Sequence, residues 1–230
     1  MLAEQADPPD DRSGLTAEPL ADEEIVRRVV AGDTAAFELL MRRYNQLLFR
    51  VARSILGNDS EAEDVVQEAY LHAFEHLPQF EGRSRFSTWL TKIAVHEAMG
   101  RLRKQRRLRL VAPADVGEEA VISYADDRDG FEEASLKELH HLLVAAVDAL
   151  PQELRVVFTL RMVERLSTEQ TAECLNLRPG NVKVRLYRAR SALQRWIDHR
   201  IGEESRRLYA FDGERCDRIV RNVLAGLGRA

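Results

Sequence analysis

The sequence predicts an all-α protein: two small helical domains joined by a flexible linker, the second built around a helix-turn-helix. Three observations carry this. Apolar residues recur at helical spacing through 22–109 and again through 134–201. Between them, residues 110–133 are acidic, contain Pro and Gly, and lose that period. Residues 166–195 read as two short helices around a tight turn, the second of them basic.

Taken in order, residues 1–20 are rich in Asp, Glu, Pro and Ala and are expected to be disordered. A first domain spans 21–109. It opens with a short helix that Gly32 stops. A long second helix follows, with Phe37, Leu40, Tyr44, Leu47, Leu48, Val51 and Ile55 as its stripe. Gly57-Asn58 ends it. Ser60 is the expected cap of the third helix, with Glu63 completing a capping box, and Pro78 is its stop. A loop, QFEGRSRF, leads to a helix that Ser87 is expected to cap, apolar at first and strongly basic from Arg101 to Arg109. After the linker at 110–133, the second domain spans 134–201. Its first helix carries Leu136, Leu139, Leu142, Leu143, Ala146, Val147 and Leu150, and Pro151 stops it. A second helix, QELRVVFTLRMVERL, leads into the helix-turn-helix. Residues 202–230 form an extension with one amphipathic helix.

In the helix-turn-helix, Ser167 and Gln170 make a capping-box pattern, Asn176-Leu177 supplies the turn, and Pro179 suits the first turn of the next helix. Val182, Leu186, Ala189 and Leu193 point that helix inward. Asn181, Lys183, Val184, Arg185, Tyr187, Arg188 and Arg195 lie on its other sides. In a major groove Asn and Arg reach base edges, Val meets a thymine methyl, and the remaining cations grip phosphate. The alternative is a solvated basic face on an ordinary helical hairpin.

The net charge of −4 alone argues against a nucleic-acid binder. Its distribution reverses that inference. Basic residues cluster at 101–109 and 178–195, acidic ones at 1–24 and 115–133. A second nucleic-acid surface is expected at the loop and the helix after it, where Phe80, Phe86 and Trp89 stand beside Arg83, Arg85 and the basic run. Rings stack on unpaired bases while cations meet phosphate. Packing of Phe86 and Trp89 into the core is the competing reading.

Two cysteines are too few for a disulfide scaffold or a zinc finger. His96-Glu97 starts like a zinc-protease motif, but Gly100 stands where the second His belongs. His72 and His76 lack a third ligand. The chain has no Gly-rich phosphate loop and no GxSxG. No enzyme, metal or cofactor is expected. No apolar run suits a membrane span and the first residues do not read as a signal peptide, so the expected address is the cytoplasm.

Three motifs then resemble a known family. They are DSEAEDVVQEAYLHAFEHLPQFEG, SRFSTWLTKIAVHEAMGRLRKQRR and LPQELRVVFTLRMVERLSTEQTAECLNLRPGNVKVRLYRARSAL. In order and spacing the chain is similar, over residues 22–200, to the extracytoplasmic-function (ECF) group of bacterial RNA polymerase sigma factors. The resemblance implies a non-enzymatic initiation factor, with a sigma-2-like domain at 21–109 and a sigma-4-like domain at 134–201. It assigns polymerase binding to Asp64, Gln67, Glu68 and Leu71. It assigns reading and melting of the −10 element to Phe80, Arg83, Arg85, Phe86, Trp89, Lys92, His96, Arg101 and Arg103. It assigns −35 binding to Arg178, Asn181, Lys183, Val184, Arg185 and Arg188. Core RNA polymerase and promoter DNA are the implied partners, with an anti-sigma factor as a further one. The linker would run through the polymerase. The chain departs from the family at His96 and Gly100, often Asn and Asp, and at Arg178, commonly a capping residue. The alternative function is a helix-turn-helix regulator acting on operators without polymerase. A third reading, an anti-sigma antagonist, sits poorly with the basic face.

Overall fold

A computed structural model describes residues 20–111, 131–207 and 213–227, and all elements among them are helical. The expected disordered segment and the middle of the expected linker lie outside the described residues.

The first domain contains α1 (Asp22–Val30), α2 (Phe37–Leu56), α3 (Asp59–His76) and α4 (Phe86–Val111). In α1, Asp22, Glu23 and Glu24 fill the first turn while Arg27 and Arg28 fill the last, the arrangement that the helix dipole favours. Asp22 also binds Arg43 and the Tyr44 hydroxyl of α2. Burial, and then that carboxylate, push the Tyr44 hydroxyl well above the usual tyrosine range. Gly57, at φ 75°, caps α2 in a left-handed conformation that a side chain would strain. The cap of α3 is Asn58 rather than Ser60: its side chain accepts from the Glu61 N–H at 3.0 Å. Ser60 and Glu63 therefore lie inside the helix. Ser87 likewise lies inside α4, where its carbonyl accepts the Thr91 hydroxyl at 2.7 Å. Ile25, Leu40, Leu48, Leu77, Phe86 and Leu90 form this domain's interior.

The second domain contains α5 (Phe131–Asp148), α6 (Gln152–Phe158), a single π-helical turn (Thr159–Val163), α7 (Thr168–Leu175) and α8 (Pro179–Arg207). The expected capping box is present in both directions: the Gln170 N–H donates to Ser167 Oγ at 3.1 Å, and the Ser167 N–H to Gln170 Oε1 at 2.7 Å. Asn176, at φ 50°, makes the left-handed turn, and Pro179 opens α8. α8 continues past the expected end near Ile201 to Arg207, and α9 (Gly213–Leu227) follows.

The two domains share a core. Val51, Ile55, Val65 and Val95 of the first pack with Val156, Val157, Leu160 and Val182 of the second, each 5% exposed or less. Polar groups close the seam. Arg53 reaches Asp59 at 2.6 Å and Asp148 at 2.8 Å. Arg155 donates to the Ser54 carbonyl at 2.7 Å and the Asp148 carbonyl at 3.0 Å. Burial opposes the charge on Arg53, but Asp148 and Asp59 outweigh it and hold the guanidinium protonated. Such a half-buried network is costly to leave unsatisfied, so it specifies this packing. Periodicity predicts a helix over QELRVVFTLRMVERL. It names the apolar face, not the neighbour that covers it.

Candidate polymerase and nucleic-acid interfaces

The first surface is the outer face of α3. Its inner side is anchored by Ala62, Val65 and Ala69, which leaves Asp64, Gln67, Glu68 and Leu71 outward. Leu71 is 65% exposed and Phe74 38%. Carboxylates around an uncovered leucine and phenylalanine suit a protein partner better than DNA. Arg101, expected on the DNA side, is committed here. Its guanidinium reaches Asp64 at 3.0 Å, Glu68 at 3.3 Å and the Glu61 carbonyl at 3.2 Å. Two carboxylates and a carbonyl surround it within the protein, so it braces α4 against α3.

The second surface is the loop before α4. Gln79, Phe80, Glu81, Gly82, Arg83, Ser84 and Trp89 line a hollow of about 280 Å³, together with Glu173 of α7. That lies just below the range of pockets for drug-sized ligands, so it suits a group the size of one base. Phe80 stands edge-on to Phe86 with centroids 5.5 Å apart, and 5.3 Å from Trp89. Phe86 is only 1% exposed, enclosed by Tyr44, Phe80 and Trp89. Of the three aromatics expected at the DNA surface it is therefore the buried one, propping the two rings that remain partly open. Arg83 is 85% exposed at its side chain and pairs with Glu81. Arg85, Lys92, His96 and Arg103 are exposed. Farther along α4, Arg103, Lys104 and Arg107 line a basic groove with Gly100 and Leu108.

The third surface is α8. Val182 and Ala189 are fully buried, which turns Lys183, Val184 and Arg188 outward, with Asn181 and Arg178 at the exposed start. Arg185 is turned sideways. It pairs with Glu153 of α6 at 3.2 Å and its side chain is 30% exposed, so it is held against α6 rather than presented. Tyr187, left out of the expected contact set, is 73% exposed beside Arg188. The signal was available: a large aromatic on the polar side of a basic helix needs a partner.

The surfaces are not independent here. α7 rests on the start of α4, with Gln170 Nε2 3.4 Å from Thr88 Oγ1 and Cys174 Sγ 3.6 Å from the Thr88 carbonyl. The first helix of the helix-turn-helix therefore covers one side of the aromatic loop. His72 Nδ1 lies 3.0 Å from Glu97, and His76 Nδ1 lies 2.8 Å from the His72 carbonyl. Among the described residues no group of three His, Cys, Asp or Glu is arranged to hold a metal ion, and no helix is long and apolar enough to cross a membrane.

Comparison with known proteins gives two family matches in chain order: Sigma-70 region 2 over residues 40–108, and Sigma-70, region 4 over residues 140–193. The chain is 36% identical over 186 residues to the ECF RNA polymerase sigma-E factor of Haemophilus influenzae, covering 79% of this chain and 97% of that one. It is 32% identical over 176 residues to the ECF RNA polymerase sigma factor SigW of Bacillus subtilis, covering 75% and 94%. Among solved structures, the fold resembles RpoE from Bartonella quintana, solved with the anti-sigma factor NepR (TM-score 0.58, 24% identity, 70% of this chain and 96% of that one). It also resembles CnrH, solved with the cytosolic domain of CnrY (TM-score 0.56, 24% identity, 78% and 99%).

Proposed function

Because the chain belongs to the ECF group of sigma-70-type RNA polymerase sigma factors, and so directs core RNA polymerase to promoters, we propose that its three surfaces divide that work. The family sets aside the reading as an operator-binding regulator and is non-enzymatic. The observation that supports the division is chemical. An acidic face with bare apolar residues, an aromatic hollow beside cations, and a basic recognition helix follow one another in the order of the two matched regions.

In this reading α3 docks the polymerase through Asp64, Gln67, Glu68, Leu71 and the adjoining Phe74. Phe80 and Trp89 hold an unpaired base of the −10 element while Arg83, Arg85, Lys92 and Arg103 meet its phosphates. His96 lines the same side of α4. Lys183, Val184, Tyr187 and Arg188 enter the −35 major groove, with Asn181 and Arg178 at the helix start. Arg185 fixes the helix through Glu153. Transcription by purified core polymerase on a genomic library tests the whole. Start sites that share one −10/−35 pair only when this chain is added support it, and their absence refutes it.

Two predictions belong to this division. Asp64→Lys with Glu68→Lys removes the docking charge and also releases Arg101. Affinity for core polymerase, measured by competition against a labelled sigma factor, should fall by about tenfold or more, as for rim and core charges at interfaces. Thermal stability should change by only about 1 kcal/mol, because exposed pairs contribute little. Arg188→Ala should cost about 1–3 kcal/mol at one promoter position if it reads a base. Lys183→Ala should weaken all promoters alike and lower the salt slope by about one. A uniform loss for both would mean that α8 reads no base through Arg188.

The reading also requires the seam to open, because α7 lies over the loop that must receive a strand. Cys174 reports on this. It is 4% exposed, and burial pushes its thiol up to about 12, whereas Cys216 is exposed. In the free protein at pH 8 Cys174 should therefore label slowly. With core polymerase bound, maleimide labelling of Cys174 followed by peptide mapping should rise. Unchanged protection in the holoenzyme would mean that the seam stays shut.

A further inference from the structure

Two apolar faces of this chain are uncovered. On α9, Cys216, Ile219, Val220, Val223, Leu224 and Leu227 fall on one side of the helix, and the five aliphatic ones are 48–69% exposed. On α5, the stripe Leu136–Leu139–Leu143–Ala146 is continuous in sequence but covered only at its end. Ala146 is 3% exposed, whereas Leu143, Leu139 and Leu136 are 51%, 52% and 66% exposed. α8 packs against α5, and its own Ile201 is 59% exposed. A soluble monomer rarely keeps contiguous apolar patches of this kind bare.

We propose that α9 is the cover: its apolar side docks on the uncovered turns of α5, beside the end of α8, within the same chain. The connection from α8 favours this occupant. Residues 208–212 tether α9 to Arg207 and span at most about 20 Å when extended. A tether this short sets an effective concentration in the millimolar range, so α9 outcompetes a second copy at micromolar protein. Charge is compatible: both helices carry both signs, with Lys137 and Glu138 on α5 and Asp217, Arg218 and Arg221 on α9. Any partner helix seeking this face of the −35-reading domain must first displace α9.

The native thiols make the test direct. Cys174 is buried, whereas Cys216 is exposed at the N-terminal end of the α9 apolar side. Leu136→Cys, Leu139→Cys and Leu143→Cys are introduced singly into the full chain, which is treated with a short bismaleimide. The proposal expects a cross-linked monomer whose peptide map joins Cys216 to at least one new cysteine. A cross-linked dimer would assign the face to a second copy, and no product from any of the three would leave α9 undocked. Either result overturns it. A second measurement avoids engineered thiols. Val220→Asp with Val223→Asp, on an exposed face where folding is not at risk, should speed amide exchange in 136–143 by about tenfold or more and leave α7 unchanged. Unchanged exchange in 136–143 also overturns the proposal. Neither readout uses polymerase or DNA, so both stand apart from the assignment of the three surfaces.

Discussion

Val157→Asp should unfold both halves of the protein together. Val157 is fully buried where α6 meets the first domain, in the core shared with Val51, Ile55 and Val95. An aspartate there has no cation at hand, because Arg53 and Arg155 are already held by Asp148, Asp59 and the Ser54 carbonyl. Burying an unpaired carboxylate and losing two methyl groups together cost on the order of 4 kcal/mol or more, a large part of a typical domain's stability. The two tryptophans divide the readout: Trp89 lies in the first domain and Trp196 in the second. Single-tryptophan forms, with the other changed to Phe, should lose their melting midpoints in parallel when Val157→Asp is added. If Trp89 keeps its midpoint while Trp196 loses it, the two domains fold separately and the seam is only a contact.

Trp89→Ala should stop promoter opening while leaving the rest of initiation in place. Trp89 is half-buried. One side of its ring rests on Phe86 and Phe80, and it also borders the hollow. Stacking of one base on such a ring contributes about 1–3 kcal/mol, so open-complex formation on duplex promoter should fall by roughly 5- to 150-fold. On a template mismatched across the −10 element, where the strands are already apart, most of that loss should disappear. Trp89→Phe, which keeps an aromatic surface and most of the packing, should retain much of the activity. Equal loss on duplex and mismatched templates would make Trp89 a scaffold residue. Permanganate reactivity of unpaired thymines distinguishes these outcomes.

The helices themselves were legible because each leaves local marks. The Ser167–Gln170 box, the Asn176 turn and Pro179 act over a few residues, and the observed bonds are the ones those residues can make. The cap of α3 was misplaced for an equally local reason. Asn58 and Ser60 both make good caps, and only the turn that follows Gly57 selects between them. For two members of the expected contact sets the sequence does not show the partner within the protein, because a cation's partner is chosen in space. Arg101 found Asp64 and Glu68 across thirty-odd residues of chain, and Arg185 found Glu153 on another helix. Phe86 was weighed as either stacking platform or core. It is core, because four aromatic side chains meet at the start of α4 and only the outer ones keep an open side.

By itself the sequence determined the all-helical class, the two-domain order, the helix-turn-helix and the family, since all of these rest on periodicity, caps and contiguous motifs. Only the tertiary structure decided that the two domains share one core, that α7 covers the aromatic loop, and which cations pair with carboxylates within the protein. Those outcomes depend on which apolar faces and charges meet across distances that the chain does not encode locally. An amphipathic stripe states that a face must be buried and is silent about what buries it.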